Sequence, residues 1–186
     1  MDNRFSLLVS LVALLVGVHV VNMLTNGWLL QFGIQPGNPA TLPYIFTAPF
    51  IHGDWAHLTN NLFGLLVFSL LCMLRGRSFY LMSSLFIIVV TGVLVWIFGR
   101  PATHVGASGW IFGLWSLSIA MAWFQRKFVN ILIAVFVLFF YGGMVFGVLP
   151  RDPHVSFESH LFGALAGIAC AYVMTRPKHR RQIRRS

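Results

Sequence analysis

Ser108 sits between glycines in Gly106-Ala107-Ser108-Gly109, in a chain that carries seven histidines and only four carboxylates. A serine hydroxyl is a weak nucleophile until a base takes its proton, and the oxyanion formed on attack requires donors aimed at it. His160 is the candidate base. Gly106 and Gly109 permit an unusual turn and let a substrate carbonyl approach backbone N–H groups closely. His57 and Asn61 are four apart, so on a helix they project from one face and can donate toward one point. The carboxylates Asp2, Asp54, Asp152 and Glu158 all fall at the ends of apolar runs or in loops. That placement excludes a protease built on two aspartates within membrane spans. A zinc protease is excluded too, because no His-Glu-x-x-His is present. Cys72 and Cys170 lack metal-ligand spacing and read as small buried hydrophobes, so neither a metal nor a cofactor is expected.

The elements that must position these groups follow from composition. Of 186 residues, 58% are apolar and 9% charged, against about 25% charged in a soluble domain. The mean hydropathy is +0.79, which makes lipid the main solvent. Six apolar runs without interior Lys or Arg, at about residues 5–24, 56–74, 78–98, 106–124, 128–149 and 157–175, are each near the length a bilayer core of about 30 Å demands. The first run is too long for the core of a signal peptide and no small-residue cleavage site follows it. The expectation is an all-α membrane protein, a single domain of six transmembrane helices spanning residues 1–186, with a basic tail at 176–186.

Positive residues near helix ends are retained in the cytoplasm. Arg4, Arg75, Arg77, Arg126, Lys127, Arg176, Lys178, Arg180, Arg181, Arg184 and Arg185 fall on one side, and only Arg100 and Arg151 on the other. Both termini are therefore expected to be cytoplasmic. The net charge of +9 is read as retention plus attraction to anionic lipid, not as nucleic-acid binding. Spans two, four and six then start at the outer face, each with a polar group within about a turn of its start: His57 and Asn61, Ser108, and His160. Gly109, Gly113, Ser116 and Ala120 on span four, and Gly163, Gly167 and Ala171 on span six, form small-residue stripes that let two helices approach closely. Ser108 lies only beside its stripe, so the first turn of span four must depart from an ideal helix. The stretch from 25 to 55 has four prolines, many large apolar residues and no Lys or Arg, and reads as an element half-sunk in the outer interface. His19 and His179 read as incidental, and the plain alternative for Asn60 or Asn61 is a helix cap.

His57-Leu58-Thr59-Asn60-Asn61, Gly106-Ala107-Ser108-Gly109 and His160-Leu161-Phe162-Gly163 through Gly167 resemble the motifs of the rhomboid family of intramembrane serine proteases, and the resemblance covers all six spans. It implies Ser108 as nucleophile and His160 as base in a dyad, with His57, Asn61 and the Ser108 N–H as oxyanion hole. His52 matches a position implied to organise water. Two features depart from the pattern: Phe112 stands where bacterial members often have Tyr, and the outer loop lacks the Trp-Arg pair. The resemblance further implies transmembrane proteins as substrates, access by movement of span five and of the stretch 149–156, and Gly142, Gly143 and Gly147 are compatible with such movement or with packing. In a bacterial host the protein would lie in the inner membrane with its site toward the periplasm. The competing expectation is a membrane adaptor that holds client helices without hydrolysis. A transporter is disfavoured, since no charged relay crosses the midplane.

Overall fold

The computed structural model describes residues 3–150 and 155–176. Arg151, Asp152 and the basic residues from Lys178 to Arg185, on which part of the sidedness reading rests, lie outside them. The described chain forms α1 (Asn3–Leu24), α2 (Trp55–Met73), α3 (Arg77–Phe98), α4 (Ser108–Phe124), α5 (Phe128–Tyr141) and α6 (Phe157–Thr175). Each starts and stops within two residues of an expected run except α5. There the α-helix ends at Tyr141, before the Gly142-Gly143 pair, and the chain tightens into a 3-10 segment, Gly142–Val148.

Among the described residues, five helices are long and apolar enough to cross a membrane: α1, α2, α3, α5 with its 3-10 extension, and α6. This is a multi-pass membrane protein. The sequence expectation of six such helices is not met by length, because α4 has only 17 residues. Its start is delayed by Gly106, whose φ of +107° cannot continue a helix. α4 is the central element, packed against α2, α3, α5 and α6, and residues around its whole circumference are buried.

Asp54 sets the start of α2, its side chain accepting from His57 N–H at 2.8 Å. The alternative of a cap at Asn60 or Asn61 is set aside, because an acidic residue upstream caps the helix and both asparagines lie a turn or more inside it. Ser156 caps α6 in the same way through Ser159 N–H.

Prolines 36, 39, 43 and 49 keep the stretch between α1 and α2 from forming an α-helix, and it folds as three 3-10 segments, Trp28–Phe32, Pro39–Phe46 and Ala48–Phe50. Its anchors need no Trp-Arg pair. Ile34 and His104 exchange two backbone hydrogen bonds of 3.0 and 2.8 Å. Trp96 Nε1 donates to Asn38 O at 2.9 Å, and Ile45 packs directly over Gly92 of α3. Ile34, Ile45, Ala48 and Ile51 are buried, while Trp28 and Phe46 are exposed.

Candidate active site

The turn into α4 is fixed from three directions. Gly106 takes a left-handed conformation and its N–H donates to Ala48 O at 2.9 Å. A Cβ on Gly106 would lie 2.5 Å from His57 Nε2 and 3.5 Å from Asn61 Nδ2, so only glycine serves here, for conformation and for space. Ala107 N–H donates to His52 Nε2 at 3.4 Å. Ser108 is therefore the first residue of α4 and not a member of its regular stripe, which is the departure from an ideal helix that its position demands.

Across the seam, α4 and α6 meet backbone to backbone. A Cβ on Gly163 would sit 2.1 Å from Gly109 O, and one on Gly167 2.0 Å from Gly113 O. Ser116 Oγ adds a 2.7 Å bond to Ala164 O. This contact brings His160, one turn into α6, beside Phe112, one turn into α4. Their rings stack at 4.1 Å with 7° between planes. Phe112 thus keeps the stacking surface that a Tyr would provide.

His160 Nδ1 lies 2.9 Å from Gly147 O. A carbonyl only accepts, so Nδ1 carries the proton and Nε2 keeps its lone pair. The Asn61 side chain is buried and its Nδ2 has no partner, an unspent donor beside Gly106. His57 Nε2 lies against the same glycine.

Ser108, His160, His57, Asn61 and Phe112 line one cavity of about 790 Å³, whose other walls include Phe63 and Phe68 of α2 and Tyr141 and Met144 at the end of α5. Ser108 Oγ makes no hydrogen bond to His160 within 3.5 Å; such bonds are often long before substrate is bound. Among the described residues, no three His, Cys, Asp or Glu side chains come together to hold a metal ion.

His52 stands behind the cavity rather than in it. It is fully buried and its ring meets His57 edge-on at 4.9 Å. Burial first, and then the neighbouring His57, push its pKa down to about 4, so it is neutral and able to accept from Ala107 N–H near neutral pH.

One sequence reading changes, and one residue outside that reading gains a role. His19 is not incidental: it is fully buried, its Nδ1 lies 3.2 Å from His52 O, and its ring meets Trp55 edge-on at 4.5 Å. The signal was present, because His19 and Asn22 are three apart on one face of an otherwise apolar span. His104 was passed over as well. Its Nδ1 lies 2.7 Å from Ser156 Oγ and its Nε2 3.1 Å from Arg100 O, which ties the approach to α4 to the cap of α6.

Comparison with known proteins gives a match of residues 40–177 to the family model described as Rhomboid domain. The chain is 34% identical over 182 residues to an uncharacterized protein of Mycobacterium tuberculosis, covering 93% of this chain and 76% of that one. It is 33% identical over 153 residues to Rhomboid-like protein 11, chloroplastic, of Arabidopsis thaliana, covering 74% of this chain and 54% of that protein.

Proposed function

The chain belongs to the rhomboid family, and from that premise we propose that it is a serine endopeptidase that cleaves the transmembrane helices of other membrane proteins. The observation that carries the reading is the state of His160: held flat on Phe112, with Nδ1–H spent on Gly147 O, it offers Nε2 as a base in the cavity it shares with Ser108. His160 Nε2 takes the Ser108 hydroxyl proton as Oγ bonds to the scissile carbonyl carbon. The carbonyl oxygen becomes an oxyanion, toward which Asn61 Nδ2, His57 and the Ser108 N–H donate. His160 then returns the proton to the leaving amine as the C–N bond breaks. Water, deprotonated by the same imidazole, hydrolyses the acyl ester and frees Ser108.

In this reading α4 acts as the sixth, shortened span and both termini face the cytoplasm. In a bacterial host the protein lies in the inner membrane and the cavity opens toward the periplasm. Substrates are single-span proteins, unwound near small or helix-breaking residues because an intact helix shields its carbonyls. They reach the cavity past the end of α5.

The test is fluorophosphonate labelling of the detergent-purified protein with the adduct mapped by mass spectrometry. An adduct at Ser108 that disappears in His160→Ala, with cleavage of a single-span reporter lost in Ser108→Ala, is the expected result. A folded, accessible protein without adduct that still retains client helices would replace the protease with an adaptor.

A further inference from the structure

α1 lies outside the matched family region and packs chiefly against α2 and the loop that follows it. It lends no side chain to the cavity. Yet His19 and Asn22 near its end are both fully buried, and both aim at one atom: His19 Nδ1 and Asn22 Nδ2 each lie 3.2 Å from the carbonyl oxygen of His52. Asn22 Oδ1 also accepts from Leu29 N–H at 3.0 Å.

Burying polar side chains is costly unless they are hydrogen-bonded, a cost that apolar side chains at these two positions would not themselves carry. What the polar pair adds is orientation. Two donors converging on one carbonyl fix the peptide plane that follows His52 and so restrain the backbone from which its side chain projects. That imidazole accepts from Ala107 N–H, one peptide before the serine, and abuts the His57 ring at 4.9 Å. The neighbouring Ala48 O holds Gly106 N–H in parallel.

We infer that His19 and Asn22 are positioning residues for the reaction, holding Ser108 and His57 in register through the carbonyl and ring of His52. The inference rests on the proteolytic reading above. It differs from a packing role because it depends on donors, not on filled volume.

The experiment compares wild type, His19→Leu, Asn22→Leu, the double variant and His19→Asn, all in detergent. The rate of fluorophosphonate adduct formation at Ser108, kcat and KM for a single-span reporter, and the unfolding midpoint are measured on each. Labelling and kcat are expected to fall by about tenfold or more in the leucine variants, since small misplacements near the reacting atoms are that costly. KM should change by less than about twofold, because no cavity wall is altered. The double variant should lose no more than the worse single one, as both donors serve one carbonyl. His19→Asn, whose amide nitrogen replaces Nδ1, should restore most of the rate. If the double variant does not fold, His19→Asn against His19→Leu decides the matter.

Wild-type labelling and kcat in a folded double variant would overturn the inference alone, as would a loss that His19→Asn leaves unrepaired. A wild-type protein without adduct would overturn the proteolytic reading and this inference with it.

Discussion

The glycines of the α4–α6 seam and the Gly142-Gly143 pair that follows α5 sit in opposite surroundings, while Gly147 further on is packed against Phe112. Gly163 and Gly167 press on backbone oxygens of α4 at distances no Cβ could share, whereas Gly142 and Gly143 have nothing within 4 Å of where a Cβ would stand. Ser108 and His160 are carried by the first pair of helices, which cannot slide past each other without clash. The far wall of the cavity is carried by the second region. Its polar contacts to the bundle include Trp115 Nε1 to Tyr141 O at 3.2 Å and His160 Nδ1 to Gly147 O at 2.9 Å. Phe139 and Phe140 there are largely exposed, as residues facing lipid would be. At the opposite end of α5, Arg75 Nε donates to Asn130 Oδ1 at 2.9 Å and Asn130 Nδ2 to Gln125 O at 2.8 Å. The molecule thus places its reacting groups on a close backbone seam and its far wall beside two glycines with open space around them.

The largest test of this contrast puts one methyl group in each region. Gly163→Ala forces a Cβ against Gly109 O, a backbone atom that cannot step aside, and should cost about 3 kcal/mol or more. Gly143→Ala meets open space and should stay within about 0.5 kcal/mol of wild type. Unfolding midpoints of the two variants in the same detergent make the comparison; equal losses would break it.

Acid should loosen the fixed half at a defined place. His52 has a folded pKa of about 4 against an ordinary 6.5, so below pH 6.5 the unfolded chain binds a proton that the folded one refuses. The stability contributed by neutral His52 is therefore complete above pH 6.5 and is lost as pH falls toward 4, by at most about 3 kcal/mol. His52→Asn should flatten this dependence. A wild-type midpoint unchanged between pH 7.5 and pH 4.5 would show that this buried imidazole is not a strut of the fixed half.

The rigid half was the legible one. Long apolar runs and small-residue stripes are signals carried by composition and spacing, and from them follow the six helices and the α4–α6 contact. The contact of Gly106 with His57, and the bonds of His104 and His52, depend on loops meeting across 50 or so residues, for which no local pattern exists. His19 and Asn22 were visible as a polar pair, but their acceptor is a main-chain oxygen, and a backbone atom leaves no mark on sequence. The shortening of α4 and the 3-10 end of α5 escaped for a different reason: hydropathy reads composition and is blind to where a glycine turns the chain.

On the side of the far wall, Trp115→Phe keeps an aromatic ring in the core and removes the donor to Tyr141 O. A loss of about 1 kcal/mol is expected, the usual worth of one hydrogen bond. If α5 is the element that yields to substrate, kcat/KM for a single-span reporter should rise or hold while adduct formation at Ser108 is unchanged. A fall in adduct formation would mean that α5 also positions the serine, and the division of labour between the regions would fail.

The smallest effect belongs to the ion pair at the rim of the seam. Arg100 Nε lies 3.5 Å from Glu158 Oε1, with the arginine side chain 33% and the glutamate 7% exposed. Arg100 also donates to Val155 O at 2.7 Å and lies over the Phe157 ring, so it stays engaged when the carboxylate is neutralised. Glu158→Gln keeps shape, removes charge, and should cost no more than about 1 kcal/mol because solvent screens the partly exposed guanidinium. Raising salt should lower the wild-type midpoint slightly and leave that of Glu158→Gln unmoved. A loss as large as that of Gly163→Ala would mean that charge at the rim, rather than backbone contact along the helices, fixes His160 opposite Ser108.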